Sequence, residues 1–231
     1  MEREKRGGGI MGLLITPSIL NSADWLVDCP DSWKTRAFQG LKDALQRVFT
    51  STKATEEGIY FENMIYSALE KDPKATHHDP TIAHFMEVCR GGDFQAKYTK
   101  DVKVDGETYT LYGKLDVDLP EIVLDIKTTG TYKKGKYLAT PQHLIYCLIT
   151  GKEEFKYHVA EWKRDPSTGE FLLDKDGHHV PGNYFIEEFM VDDWTELKKD
   201  IASRIKKFRR VLVDYDIEEL YLEWFVKNRR K

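Results

Sequence analysis

The chain has 231 residues, enough for one well-buried domain, and its 32% charged and 41% hydrophobic content is that of an ordinary globular protein. A formal net charge of −4 excludes a surface coated in basic patches, although a local groove can still be positive where clustered site acids lower the total. Cys29, Cys89 and Cys147 are widely spaced with no CxxC pair. They support neither a disulfide framework nor a zinc ribbon, and fit a reducing, cytoplasmic interior.

In chain order, Met1 to Arg6 mixes acids with bases, and the apolar stretch Ile10 to Ile15 is too short to span a membrane. No signal peptide and no membrane association are expected. Met11 is an alternative start, and residues 1–15 read as a flexible extension ahead of a single domain, 16–231. Ser32 is placed to cap a helix from about Trp33 to Phe49, with Ala37, Leu41, Leu45 and Val48 at helical spacing. Thr55 is placed to cap a second helix to about Glu70, closed by Lys71-Asp72-Pro73. A third, short helix spans about Thr81 to Cys89 and stops at Gly91-Gly92. Phe94 to Thr129 is β-rich, with turn signals at Asp105-Gly106 and Pro120-Glu121. Thr140-Pro141, an apolar run and Gly151 read as N-cap, N1 proline, helix and terminal glycine. Phe155 to Trp162 and Tyr184 to Val191 read as strands joined by an excursion rich in Asp, Gly and Pro. From Asp193 to about Val226 a helix returns, with Leu197, Ile201, Ile205, Phe208 and Leu212 as its buried stripe. The order predicts an α/β (α+β) fold with one central sheet.

The sharpest local feature lies between Tyr109 and Thr129. Side chains alternate along a strand, so Tyr112, Lys114, Asp116 and Asp118 share one face, and Val123, Asp125 and Lys127 share a face of the next strand. With the turn centred on Pro120-Glu121, antiparallel pairing sets Leu119 against Ile122 and Asp116 against Asp125. Opposed residues have Cβ atoms ~5 Å apart, where like charges repel. A divalent cation resolves the conflict, since Mg²⁺ is typically held by one or two carboxylates plus waters and phosphate oxygens. A solvated sheet face is the alternative, but Asp is depleted in strands such as Ile-Val-Leu-Asp-Ile. A one-residue slip would undo the pairing.

On the second helix Gly58, Glu62, Ile65, Tyr66 and Leu69 form one stripe, which puts the Glu62 carboxylate on an inward-facing surface. It is either a third site carboxylate or half of a salt bridge with a core-edge cation. Gly58 lets another backbone approach closely.

These residues resemble a known family. Gly113-Lys114-Leu115-Asp116, then Leu124-Asp125-Ile126-Lys127-Thr128-Thr129, then Gln142-His143-Leu144-Ile145-Tyr146 are similar to the GxxD, DxK and QxxxY motifs of the PD-(D/E)XK nuclease superfamily, in its RecB-like and phage-exonuclease branch. Gly58-Ile59-Tyr60-Phe61-Glu62 is similar to the helical motif preceding them, and Thr16-Pro17-Ser18-Ile19-Leu20 through Cys29-Pro30 to the branch's N-terminal helix opening. The resemblance covers about Thr16 to Thr150. DxK alone is weak, whereas four motifs in order are specific.

The resemblance implies a restriction-endonuclease-like core, a central mixed sheet flanked by helices, that hydrolyses phosphodiesters with Mg²⁺ or Mn²⁺. Carried over by position, Asp116 and Asp125 bind metal, the Ile126 carbonyl adds a ligand, and Glu62 completes the shell directly or through water. Lys127 positions the attacking water and offsets charge on phosphorus. Many members carry His where this chain has Glu62. The Gln142–Tyr146 stripe is implied to face nucleic acid; a merely polar outer face is the alternative. Lys133, Lys134 and Lys136, interleaved with Tyr132 and Tyr137, suit a loop that meets phosphates and stacks bases, as they equally suit a solvated loop.

The resemblance implies that some branch members hold an iron–sulfur cluster on one upstream and three C-terminal cysteines. Cys29 matches the first, but no cysteine follows Cys147, so no cluster is expected. His77, His78, His84 and Cys89 have poor zinc spacing and read as incidental. The basic segments Arg204 to Arg210 and Lys227 to Lys231 suit DNA or an acidic partner, or for the first the wet side of a helix. The expectation is a stand-alone DNA exonuclease acting on free ends, in (pro)phage or bacterial recombination, repair or replication. A single-strand annealing or helicase partner and a homo-oligomer fit that context. The rivals are a structure-specific or restriction-type endonuclease and an inactive nucleic-acid-binding or assembly protein of the same fold.

Overall fold

The computed structural model describes residues 13–226. The readings placed on residues 1–12 (Met11 included) and on Lys227 to Lys231 lie outside the described residues. The described residues form two compact units: residues 13–48, 99–112 and 202–226 make one, and residues 49–98 and 113–201 the other.

In the first unit, β1 (Leu13–Ile15) pairs in parallel with β4 (Glu107–Lys114), setting Leu14 opposite Thr110. Residues 13–15 therefore do not extend the N-terminal tail: Leu14 and Ile15 are buried, and the Leu14 carbonyl accepts a 2.7 Å hydrogen bond from the Tyr221 hydroxyl. β4 lies between β1 and β3 (Lys97–Val104) in a three-stranded sheet. The β3–β4 hairpin turns at Asp105-Gly106 with φ of 50° and 85°, the two left-handed positions a tight hairpin of this twist requires. Helix α1 (Pro17–Asp28) is capped by the Thr16 hydroxyl and packs on α2 (Lys34–Gln46).

The Ser32 cap and the Phe49 end expected for α2 are corrected. Ser32 lies inside a 3-10 turn, Asp31–Trp33, and Arg47 at φ 56° ends the helix, leaving Val48 exposed rather than on the buried stripe.

The second unit holds the central sheet, ordered β2 (Asp93–Phe94), β5 (Val117–Asp118), β6 (Ile122–Thr129), β7 (Glu154–Trp162) and β8 (Pro181–Met190). Its neighbours are antiparallel except β6 and β7, which run parallel. A parallel pair needs a crossover, and α5 (Gln142–Thr150) supplies it. Mixed strands with helices and a central mixed sheet meet the α/β expectation; the described residues add a second, three-stranded sheet, because the strand from Tyr109 to Leu119 breaks at Leu115-Asp116 and passes from one sheet to the other.

Helix α3 (Lys53–Lys71) starts earlier than expected. Thr52 is the cap, its hydroxyl accepting the Thr55 amide at 3.2 Å, because Lys53 and Ala54 already favour helix. Pro141 rather than Thr140 is the cap of α5, which ends at left-handed Gly151 (φ 77°). Helix α4 (Pro80–Cys89) is capped by Asp79. Phe61, Ile65 and Leu69 of α3 and Ile82, Phe85 and Cys89 of α4 pack with Val117, Leu124 and Ile126 as one core, so α3 covers the strands that carry the motif residues. Helix α6 (Trp194–Asp214) buries the stripe Leu197, Ile201, Ile205, Phe208 and Leu212. Among the described residues no helix is long and apolar enough to cross a membrane.

Candidate active site

Gly58, Glu62, Gly113, Asp116, Asp125, Lys127, Gln142 and Tyr146 all fall in the second unit, whereas the Thr16 to Pro30 opening lies in the first. The register at its centre is the one the Pro120-Glu121 turn predicts: Val117 pairs with Leu124, Asp118 with Val123, and the Leu119 amide donates to the Ile122 carbonyl at 3.1 Å. Continued by one residue, that register brings Asp116 across from Asp125. Asp116 sits just outside the ladder, at the β4–β5 break, and its Oδ2 accepts the Ile126 backbone amide at 3.0 Å.

Asp125 is fully buried, with one oxygen against the Lys127 ammonium and the other accepting the Gln142 side-chain amide. Burial pushes its carboxyl well above the ordinary range; Lys127 pulls it back and Asp116 raises it further. For Lys127, burial disfavours the ammonium, but Asp125 and Asp116 outweigh that and hold its pKa above the usual value, so it stays protonated. Its side chain is 28% exposed, and its Nζ lies 6.0 Å from the ring centre of buried Tyr157. The Glu62 carboxyl is pushed up to about 7, first by burial and then by Asp116, against Lys127 and Lys114. Among the described residues Glu62 makes no ion pair within 4.0 Å, so the salt-bridge alternative is not what the structure contains.

Three carboxylates thus share one field, with Lys127 as the ammonium set directly against Asp125, an excess of acidic groups that a divalent cation would offset. No set of three or more His, Cys, Asp or Glu side chains among the described residues is gathered tightly enough to hold a metal ion. Glu62 acts on this centre through its charge, which interacts with Asp116 and Lys127. Two aspartates fit the habit of Mg²⁺, which keeps waters in most of its positions.

Gly58 and Gly113 allow the close packing around this centre. A Cβ on Gly58 would lie 3.1 Å from Thr128 Oγ1, where α3 meets β6 beside Lys127. One on Gly113 would lie 2.7 Å from a Tyr146 ring carbon. Tyr146 is corrected: it is buried, and its hydroxyl donates to the Lys114 carbonyl at 2.9 Å, so it braces β4 instead of presenting a face to nucleic acid. Gln142 is partly exposed one turn earlier and reaches Asp125.

Lys133, Lys134 and Lys136 are exposed, but Tyr137 is buried near Tyr157, with ring centres 5.6 Å apart, and is not free to stack on a base. The loop is held from below by buried Glu187, which accepts the Gly135 and Leu138 amides at 2.8 and 3.2 Å. His84, on α4, stacks on Tyr184 and lies 3.3 Å from His158. In the first unit, Arg204, Lys206, Lys207 and Arg209 are ion-paired with Asp24, Asp105, Asp28 and Glu107 or Glu218, the wet-helix alternative for that segment.

No family model and no curated protein matches the chain. Among solved structures it is similar to a phage-related exonuclease from Haemophilus somnus 129PT, with 12% identity over 87% of this chain and 95% of that one and a TM-score of 0.41. It is similar to the alkaline exonuclease LHK-Exo of Laribacter hongkongensis, with 14% identity over 92% and 93% and a TM-score of 0.46. It is also similar to a protein designated SSO0001, with 12% identity over 86% and 78% and a TM-score of 0.48. Two of the three are named as exonucleases.

Sequence reasoning missed Gln95 and Tyr157. Gln95 donates from its side chain to Asp116 Oδ1 at 3.4 Å. It follows a strand of two residues, too short for alternation to reveal which way a side chain points. Tyr157 lies in β7 between Lys156 and His158; alternation with Phe155 and Val159 marks it as buried but not as a neighbour of Lys127.

Proposed function

We propose that this chain is a DNA nuclease dependent on Mg²⁺ or Mn²⁺, an exonuclease acting on free ends, with Asp116, Asp125 and the Ile126 carbonyl as cation ligands. The observation that carries the reading is the juxtaposition of Asp116, Asp125 and Lys127: one carboxylate on the Ile126 amide, the next fully buried, and a protonated ammonium against it. A bound divalent cation would supply Lewis-acid polarisation of a phosphoryl oxygen. The chain's own groups do the rest. Lys127 aims positive charge at the phosphorus, where negative charge builds up during attack, and orients the incoming water. Gln142 fixes the Asp125 carboxylate, and Glu62, with a pKa near neutrality, accepts a proton from water in the same field. Exposed Lys133, Lys134 and Lys136 suit phosphate contacts. The context that fits is recombination, repair or replication of phage or bacterial DNA, alongside a single-strand annealing or helicase partner and with self-association.

The test is digestion of end-labelled linear DNA and of closed circular DNA with Mg²⁺. Wild type should degrade the linear DNA and leave circles intact, while Lys127→Ala and Asp125→Ala lose at least ~100-fold in rate, with circular dichroism confirming that Lys127→Ala is folded. Nicked circles would point to an endonuclease. Binding without cleavage by any of the three proteins would point to a non-catalytic relative.

A further inference from the structure

We propose that Gln95 is a positioning residue that fixes the Asp116 carboxylate for cation binding, an inference that rests on the reading of Asp116 as a ligand. The antiparallel register Asp93–Asp118 and Phe94–Val117, carried on by one residue, brings Gln95 across from Asp116 on the side away from β6. Three hydrogen bonds close that gap. The Gln95 amide donates to the Asp116 carbonyl at 3.2 Å, the Leu115 amide donates to the Ala96 carbonyl at 2.8 Å, and Gln95 Nε2 donates to Asp116 Oδ1 at 3.4 Å.

Asp116 needs such a brace. It lies in the break between β4 and β5, where the two backbone bonds to Gln95 and Ala96 hold the main chain but no regular strand on both sides sets the direction of the side chain. The Ile126 amide restrains Oδ2 from one side, and the Gln95 side chain restrains Oδ1 from the other. Together they define the plane of the carboxylate, and leave each oxygen a lone pair for a cation. Gln95 holds this place with φ at 56°, a left-handed backbone that residues other than glycine seldom adopt. Glycine, which fits that conformation without strain, would lack the amide that reaches Asp116. A strained non-glycine residue whose side chain touches the candidate ligand is what a positioning role requires.

Those two properties separate experimentally. In Gln95→Gly the backbone becomes easier to form while the brace is lost, so the thermal midpoint of the metal-free protein should stay equal or rise. Mn²⁺ affinity, measured by titration calorimetry or by the free-ion paramagnetic resonance signal, should fall by about tenfold or more. Gln95→Asn, which tolerates the left-handed backbone and carries a shorter amide, should keep the thermal midpoint and also bind Mn²⁺ more weakly than wild type. Unchanged Mn²⁺ affinity in Gln95→Gly overturns the inference, as does a joint fall of midpoint and affinity in both variants, the mark of a purely structural role. Failure of the wild type itself to bind Mn²⁺ overturns the cation reading of the site and this inference with it, an outcome distinct from the others.

Discussion

Gly113→Ala should cost stability and disturb the candidate site together, although the one methyl group it adds meets Ile149 and Tyr146 first and not an aspartate. The new Cβ would lie 2.6 Å from Ile149 Cδ1 and 2.7 and 3.0 Å from two carbons of the Tyr146 ring. Neither neighbour is free to withdraw. Ile149 is buried on α5, and the Tyr146 ring is tethered through its hydroxyl to the Lys114 carbonyl, one residue from Gly113. Forcing an extra methyl into a packed site of this kind costs roughly 1–3 kcal/mol, and two unyielding contacts place this case towards the upper end, about 2–3 kcal/mol. For a protein of this size that is a fall in thermal midpoint of roughly 4–12 °C. Displacing Tyr146 also shifts the turn of α5 that carries Gln142, four residues earlier, and so loosens its hydrogen bond to Asp125. Ile149→Val removes the Cδ1 atom at the shortest contact. In a double-mutant cycle followed by thermal unfolding, Ile149→Val should therefore be less harmful in the Gly113→Ala background than alone, with a coupling of at least ~0.5 kcal/mol. Strict additivity, or a Gly113→Ala midpoint equal to wild type, would refute the claim that this glycine exists to let α5 close on β4.

Two titrating groups should pull pH stability in opposite directions. Glu62, raised from 4.5 to about 7, makes the metal-free fold lose stability as pH rises between those values; Glu62→Gln should thus stabilise the metal-free protein above about pH 7 by up to about 3 kcal/mol and have no such effect below about pH 4.5. An unchanged thermal midpoint at pH 8 would count against it. His158, lowered from 6.5 to about 4 chiefly by burial and then by His84, favours the neutral ring. Its contribution is complete above pH 6.5 and is lost as pH falls towards 4, again up to about 3 kcal/mol. Its ring resonance should titrate near pH 4, and a midpoint near 6.5 would show that the ring is not held neutral. Across pH 4.5 to 6.5 these two contributions oppose each other, so stability should rise more steeply, or fall less steeply, with pH in Glu62→Gln than in wild type. Tyr146→Phe removes the bond to the Lys114 carbonyl and should cost about 1 kcal/mol in denaturant unfolding, with little change in cleavage compared with Lys127→Ala. Loss of cleavage as large as that of Lys127→Ala would restore a direct role for the Tyr146 hydroxyl.

The sequence by itself determined the local elements and one long-range fact. Caps, terminal glycines and periodicity located α4, α5 and the buried stripe of α6 to within a residue or two, since those signals act between residues a few positions apart. The Asp116–Asp125 juxtaposition was also legible, because a two-residue turn fixes the register of both arms and alternation does the rest. Tertiary structure decided what depends on partners distant in the chain. The passage of the chain from one sheet to another at Leu115-Asp116 depends on β1 and on β2, paired from far upstream, and nothing within the strand announces it. The same holds for Tyr146 and Tyr137: helical spacing places the first on a face and interleaving with lysines places the second in a loop, but only the packing against β4 and β7 shows that each ring is covered. Gln95 lies beyond the reach of any pattern, because its direction follows from a left-handed backbone and a cross-strand neighbour 21 residues away.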